Sequence, residues 1–349
     1  MKKRKMRDYG ISIGTLETGE MNSISDVKGV TVGHCTLNNG DMKTGVTAIL
    51  PHQGNVFKEK VLGASYVING FGKTMGTIQI DELGTIETPI ILTSTLSVGV
   101  CSNALIQYML NENPEIGRTT GTVNPLVCEC NDMLLNDIRA GYIKEKHVFQ
   151  AIKNATQFFE EGSVGAGTGM VCFGLKGGIG SSSRLIKMND ATYTIGVLVL
   201  SNFGQMKDFR LNGKLIGHEL CQFVPTSPSK EDKGSIIIIV ATDLPVTERQ
   251  LKRIIKRSTI GLSRTGSYFG NGSGDFIIGF TTENKQPHFP TGSLQTLKTI
   301  HESEIDHAFI AVADATEEAI INSMLLSKTT TGRNNQTVYS LADYINHFL

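Results

Sequence analysis

Apolar and polar positions alternate along this chain in short β-like runs and in helical stripes. The clearest run, Ile236-Ile237-Ile238-Ile239-Val240, is uninterrupted and mostly β-branched, which predicts a strand at 235–242 covered on both faces. Other runs predict strands at 45–50, 87–93, 191–201, 276–282 and 307–313. Recurrence at three and four residues predicts helices over 102–110, 147–160, 247–262 and 316–326. The third opens with a capping box, Thr247-Glu248-Arg249-Gln250, and carries the stripe Leu251, Ile254, Ile255 and Leu262. Strand 235–242 therefore leads through Asp243-Leu244-Pro245 into a capped helix and on to strand 276–282. Polar loops fall around 37–44, 113–120, 205–214, 225–234 and 283–293, and the third and fourth flank 215–220, which predicts a surface excursion there. With no linker separating these elements, the pattern predicts one layered domain over 1–349, and it leaves α/β and α+β equally open.

Composition narrows the class. Thirty-three basic and thirty-three acidic residues balance, so no basic face for nucleic acid is expected. No run of about 18 apolar residues exists, so no membrane span is expected. The basic start, Met1 to Arg7, is followed by the polar Asp8-Tyr9-Gly10 instead of an apolar segment, unlike a secretion signal. Six cysteines in a chain of this length then point to reduced thiols and a cytoplasmic location. Cys128-Glu129-Cys130 lacks the second pair that a zinc site needs, and HExxH and EF-hand patterns are absent, so no metal or other cofactor is expected. The 38 glycines are dispersed among apolar segments, which fits tight turns and close backbone approaches.

The candidate chemistry centres on Gly234-Ser235. A charged stretch, Ser227 to Lys233, precedes it and the isoleucine run follows without a break. A serine placed where a solvated loop enters a core strand suits self-cleavage of the preceding peptide bond, which would give it a free α-amine as its base. The same dipeptide also fits an ordinary loop-to-strand junction. Gly270-Asn271-Gly272-Ser273-Gly274-Asp275 reads either as a capped turn or as a polar loop delivering Ser273 and Asp275 to Ser235 from a neighbouring strand. Asn202 ends the run Leu198-Val199-Leu200-Ser201 and reads as a strand-terminating turn or as an oxyanion donor. The stretch 129–137, with Asn131 and Asp132, reads as a helix start. Gly162–Gly169 and Gly72-Lys73-Thr74 fail the phosphate-loop spacings and read as close-packed turns. No G-x-S-x-G elbow is present and the eight histidines are scattered, so hydrolysis here would need a base other than a triad histidine.

Taken together, these segments resemble the DmpA family of self-processing aminopeptidases, which includes the L-aminopeptidase/D-esterases and β-peptidyl aminopeptidases. The resemblance rests on Asn22 to His34, Asn69 to Lys73, Leu83 to Pro89, Gly162–Gly169, Asn202-Phe203-Gly204, Gly234-Ser235, Arg264 to Ser267 and Asn271 to Asp275. It implies an α+β fold, an α-β-β-α sandwich similar to N-terminal nucleophile hydrolases but differently connected. It also implies cleavage between Gly234 and Ser235 into an α chain, 1–234, and a β chain, 235–349, that stay assembled. By position Ser235 is the implied nucleophile, Ser273 and Asp275 its proton-relay partners, and Asn202 the oxyanion donor. The implied substrate is a short peptide or an aminoacyl amide or ester, and the implied assembly a homo-oligomer, often a tetramer, without metal. Asn131 stands where well-described aminopeptidases of the family carry an oxyanion tyrosine, which opens its role and the substrate range. Two alternatives are an acyltransferase like the ornithine acetyltransferases, which use threonine at the junction, and an unprocessed binding protein of the same fold.

Overall fold

The computed structural model describes residues 4–189, 191–225 and 234–349; the charged stretch 227–233 lies outside the described residues. Strands β1 (Thr31–Asn39), β2 (Met42–Leu50), β3 (Glu59–Gly70), β4 (Thr85–Ile86), β5 (Ile90–Ser94) and β6 (Leu126–Cys130) come first, with helices α1 (Thr77–Leu83) and α2 (Val98–Glu112) among them. Helix α3 (Glu145–Lys153) leads to a hairpin of β7 (Val171–Cys172) and β8 (Leu175–Lys176), then to β9 (Gly178–Met188) and β10 (Ala191–Asn202). A second small hairpin, β11 (Arg210–Leu211) and β12 (Lys214–Leu215), precedes α4 (Gly217–Phe223). The last part holds β13 (Ser235–Thr242), α5 (Glu248–Ile255), α6 (Ser258–Arg264), β14 (Gly274–Pro287), α7 (Ile305–Leu325) and the hairpin β15 (Thr330–Thr331) and β16 (Thr337–Val338).

Two sheets form, one of four strands in the order β1-β2-β5-β6 and one of six in the order β4-β3-β14-β13-β10-β9. Side-chain alternation in the isoleucine run explains the layering. Ile236, Ile238 and Val240 join a core with Leu251, Ile254, Ile255 and Leu262 of the capped helices and with α7. Ile237, Ile239 and Ala241 join a second core with Ile49, Ile90, Leu92 and Cys128 of the four-stranded sheet. A third core packs Val46, Ile91 and Val127 under Leu105 of α2 and Val148 of α3. The result is an α-β-β-α sandwich whose central strand is apolar on both faces, each such side chain contributing roughly 1.5–3 kcal/mol by burial.

The strand–helix–strand unit forms, with the predicted helix over 247–262 divided into α5 and α6. Thr247 Oγ1 accepts from the backbone N–H of Gln250 and the Gln250 side chain accepts from that of Thr247, each at 3.2 Å, and β14 returns parallel to β13. Three further expectations change. The run at 307–313 lies inside α7; Ile310, 53% exposed, puts an apolar residue on the outer face and so hides the helical period that buried Ala308, Ala311 and Val312 follow. The helix at 147–160 ends at Lys153, because Thr156 leaves to exchange two 3.0 Å backbone hydrogen bonds with Val32 of β1. The excursion near 215–220 is covered on one side, with Ile216 and Leu220 fully buried in the α7-side core. Strands β1, β3, β6 and β9 lie outside the predicted runs; in β9, Ser181, Ser182, Ser183 and Arg184 are all buried and bonded, Arg184 forming a 2.7 Å ion pair with Glu318 of α7.

Candidate active site

Ser235 is the first residue of β13 and is held between two neighbours. Across the antiparallel β10 pairing it faces Asn202, and across the parallel β14 pairing it faces Gly274. Its Oγ donates a 2.8 Å hydrogen bond to the carbonyl oxygen of Gly234, the carbonyl of the bond that self-cleavage would break. That same oxygen also accepts from the backbone N–H of Gly274 at 3.3 Å. Gly234 cannot carry a side chain here, since a Cβ would lie 2.2 Å from the Asn202 carbonyl oxygen and 2.3 Å from Phe203 Cα.

Ser273 and Asp275 arrive on the loop entering β14. Ser273 Oγ donates to Asp275 Oδ1 at 2.7 Å, and each residue is only 1% exposed. The loop is pinned from β3: Asn69 lies opposite Asp275, and its side-chain amide donates to the carbonyl oxygens of Gly270 at 3.1 Å and of Ser273. The N–H of Phe71 adds a 3.2 Å bond to the Ser273 carbonyl. The parallel pairing of β13 and β14 thus sets the buried serine–aspartate pair one strand from Ser235.

Asn202 has its amide fixed at both ends. Oδ1 accepts from the backbone N–H of Val171 at 2.9 Å, and Nδ2 donates to the backbone carbonyl of Asn131 at 3.0 Å. The hairpin holding Val171 turns through Phe173 (φ 51°) and Gly174 (φ 72°), both left-handed, as a two-residue loop with matching twist requires. Phe173 at this costly φ is anchored edge-on against Phe203, with ring centroids 5.0 Å apart, next in sequence to Asn202. Across the hairpin, Lys176 is fully buried, and its Nζ donates to the carbonyls of Gly167 (3.0 Å), Met170 (2.7 Å) and Gly177 (2.7 Å). Burial pushes its ammonium down to about 7, opposed by the charge of buried Asp132.

The segment 129–137 is not a helix start. Glu129 is the penultimate residue of β6, and its carboxylate accepts from the N–H of Lys73 at 3.0 Å and from the Thr95 hydroxyl. The Asn131 side chain closes a turn on Met133, accepting from its N–H at 3.0 Å, so Asn131 meets Asn202 through its carbonyl. Met133, Leu134, Phe71 and Tyr268 are exposed apolar residues on segments that carry these groups or adjoin them in sequence. A cavity of about 420 Å³ lies elsewhere, among Arg4, Tyr9, Ser327 and Asp343, and none of the serine, asparagine or aspartate residues above lines it. The glycines of Gly162–Gly169 are close-packing positions, as expected: a Cβ on Gly165, Gly167 or Gly169 would fall within 2.6 Å of a neighbouring atom.

Sequence reasoning gave no role to Asn69, Lys176 or the N–H groups of Val171 and Gly274. The one available signal was a lysine set among the glycines and apolar residues of 171–180, where a solvated face is not expected.

The chain is similar to known hydrolases over nearly all of its length. It is 36% identical to the β-peptidyl aminopeptidase BapA of Sphingosinicella xenopeptidilytica, with 97% of this chain and 88% of that protein covered. The structure superposes on the PH0078 protein of Pyrococcus horikoshii OT3 with a TM-score of 0.93 at 50% identity, covering 97% and 96% of the two chains. It superposes on the L-aminopeptidase D-Ala-esterase/amidase of Ochrobactrum anthropi, a prototype serine aminopeptidase with a variant of the Ntn hydrolase fold, with a TM-score of 0.90 at 32% identity and the same coverages. A family model matches residues 22–338, and the chain belongs to peptidase family S58.

Proposed function

We propose that this serine aminopeptidase, with amidase and esterase capacity, processes itself at Gly234–Ser235 and then releases the N-terminal residue of a short peptide or aminoacyl amide or ester. The observation that carries the reading is Ser235 Oγ lying 2.8 Å from the oxygen of the carbonyl it would attack. In processing, Oγ adds to the Gly234 carbonyl carbon, and the Gly274 N–H supports the developing oxyanion. Collapse breaks the C–N bond to leave an ester, and water then frees Ser235 with an α-amine. The products are a 234-residue and a 115-residue chain. They stay together because β13 and β14 of the second lie between β10 and β3 of the first in one sheet.

In turnover, Ser235 Oγ attacks the substrate carbonyl while its own α-amine, or Ser273 backed by Asp275, takes the proton. The second Nδ2 hydrogen of Asn202 is the donor for the oxyanion, and Asn131 holds that amide through its carbonyl. Exposed Phe71, Met133, Leu134 and Tyr268, on segments next to these groups in sequence, fit a substrate with apolar side chains. Six free cysteines fit a reducing, cytoplasmic location. The assembly proposed for the processed protomers is the homo-oligomer that the family resemblance implies. Serine at the junction, where the related acyltransferases carry threonine, favours hydrolysis.

The test compares wild type with Ser235→Ala by denaturing mass spectrometry and by hydrolysis of aminoacyl p-nitroanilides. Wild type gives the two chains and activity; the variant gives one full-length chain and none. A Ser235→Ala protein that still splits removes the proposal.

A further inference from the structure

The peptide group joining Met170 to Val171 is bonded at both ends. Its carbonyl oxygen accepts from Lys176 Nζ at 2.7 Å, and its N–H donates to Asn202 Oδ1 at 2.9 Å. The Asn202 amide passes the chain on, Nδ2 donating to the Asn131 carbonyl at 3.0 Å. One line of dipoles therefore runs from a buried ammonium through a backbone peptide to the side-chain amide facing Ser235 across the β10–β13 pairing.

Lys176 is an unusual residue to spend on loop packing. It is fully buried, its three hydrogen bonds all go to carbonyls, and it forms no ion pair among the described residues. A lysine in such a place carries a desolvation penalty that a leucine or methionine would avoid. Placing a positive charge on a peptide oxygen polarises that peptide and strengthens its N–H as a donor. A stronger bond at Oδ1 in turn draws electron density from the Asn202 amide and makes its Nδ2 hydrogens better donors. The bond also fixes which way the amide points, since Oδ1 must meet the Val171 N–H. Asp132, itself buried, supplies charge balance nearby without pairing with the ammonium.

We infer that Lys176 is a positioning residue for the oxyanion donor, orienting and polarising the Asn202 amide through the Met170–Val171 peptide. The inference rests on the reading of Asn202 given above. It reaches the substrate only through Asn202, so its loss lowers kcat and leaves KM nearly unchanged.

The test is a double-mutant cycle on processed protein, with rates divided by the concentration of the 115-residue chain. Asn202→Ala is expected to lose about 100-fold or more in kcat. Lys176→Met is expected to lose about 10-fold, and the double variant no more than Asn202→Ala alone, because both act through one hydrogen bond. Val171→Pro deletes the linking N–H while leaving Lys176 in place, and it should repeat both the loss and the lack of additivity. If Lys176→Met is not recovered folded, Val171→Pro and Lys176→Gln carry the same cycle. Additive losses, or a raised KM with kcat intact, overturn the role of Lys176 while leaving that of Asn202 standing. An Asn202→Ala protein with wild-type kcat instead overturns the oxyanion reading itself.

Discussion

The strongest quantitative consequence of the site concerns Asp275. Ser273 donates to it at 2.7 Å in a dry environment, with both residues 1% exposed. A hydrogen bond to a carboxylate contributes about 1.5–3 kcal/mol, against roughly 0.5–1.5 kcal/mol for a neutral acceptor. Asp275→Asn keeps an oxygen near the same place and removes the charge, so it should cost the relay about 1–2 kcal/mol. At 1.36 kcal/mol per decade that is roughly a 5- to 30-fold loss of kcat. Asp275→Ala leaves the Ser273 hydroxyl with no acceptor at that position and should lose more, giving the order wild type, Asn, Ala. The assay is steady-state hydrolysis of alanine p-nitroanilide by processed protein, with the N-terminal Ser235 counted by mass spectrometry. KM should move by less than about twofold, because Asp275 bonds Ser273 and not the substrate. Thermal melts on the same samples separate chemistry from folding. Wild-type kcat in Asp275→Asn would refute the charged relay, and an equal loss in Asn and Ala would show that only packing had been disturbed.

Two further outcomes test the scaffold. Glu318 is fully buried and accepts from Arg184 at 2.7 Å, Arg7 at 3.0 Å and Asn22 at 2.5 Å. Glu318→Gln strands buried guanidinium charge and should cost about 3–5 kcal/mol, read as a Tm drop of roughly 10 °C; a shift within error would mean that the N-terminal segment does not depend on this ion pair. His34 accepts from Thr47 at 2.9 Å on one nitrogen and donates to the Glu160 carbonyl at 2.9 Å with the other, and desolvation lowers its pKa from 6.5 to about 4. Its folded form stays neutral while the unfolded chain binds a proton near 6.5, so its stabilisation is complete above that pH and is lost as pH falls toward 4. Wild type should lose about 1–3 kcal/mol more than His34→Gln across that window in urea melts, and parallel curves would remove the linkage.

How much of the fold the sequence disclosed depended on where side chains find their partners. Residues 235–282 were legible because each signal is local: a β-branched run, a capping box within four residues, and a glycine-rich turn. Strand β9 was not, because Ser181, Ser182 and Ser183 satisfy their polar groups with Asn22, Asp26, Glu161 and Val197, far away in the chain. Buried serines look like loop until those partners are known. The segment 307–313 misled for the opposite reason. Ile310 is apolar yet 53% exposed, so Phe309 to Ala313 reads as an unbroken apolar run, and one 21-residue helix was read as a strand over 307–313 followed by a helix over 316–326.

The site divides along the same line. Ser235, Ser273 and Asp275 could be read as neighbours because a parallel strand–helix–strand unit places the starts of its two strands side by side, and topology alone supplies that step. Asn202 was ambiguous because nothing in Ser201-Asn202-Phe203 tells a turn from a donor; its pairing with Ser235 comes from an antiparallel partner 33 positions away in the chain. Asn131 could be located by resemblance, yet the resemblance compares side chains, and in this chain its backbone carbonyl makes the contact. Lys176 lies one step further out, acting through a peptide group that has no side chain to recognise. Sequence patterns reveal nucleophiles well because those residues must be a particular type at a particular junction. They reveal the groups that aim an amide poorly, because a carbonyl or an N–H can be offered by any residue whose backbone passes at the right distance.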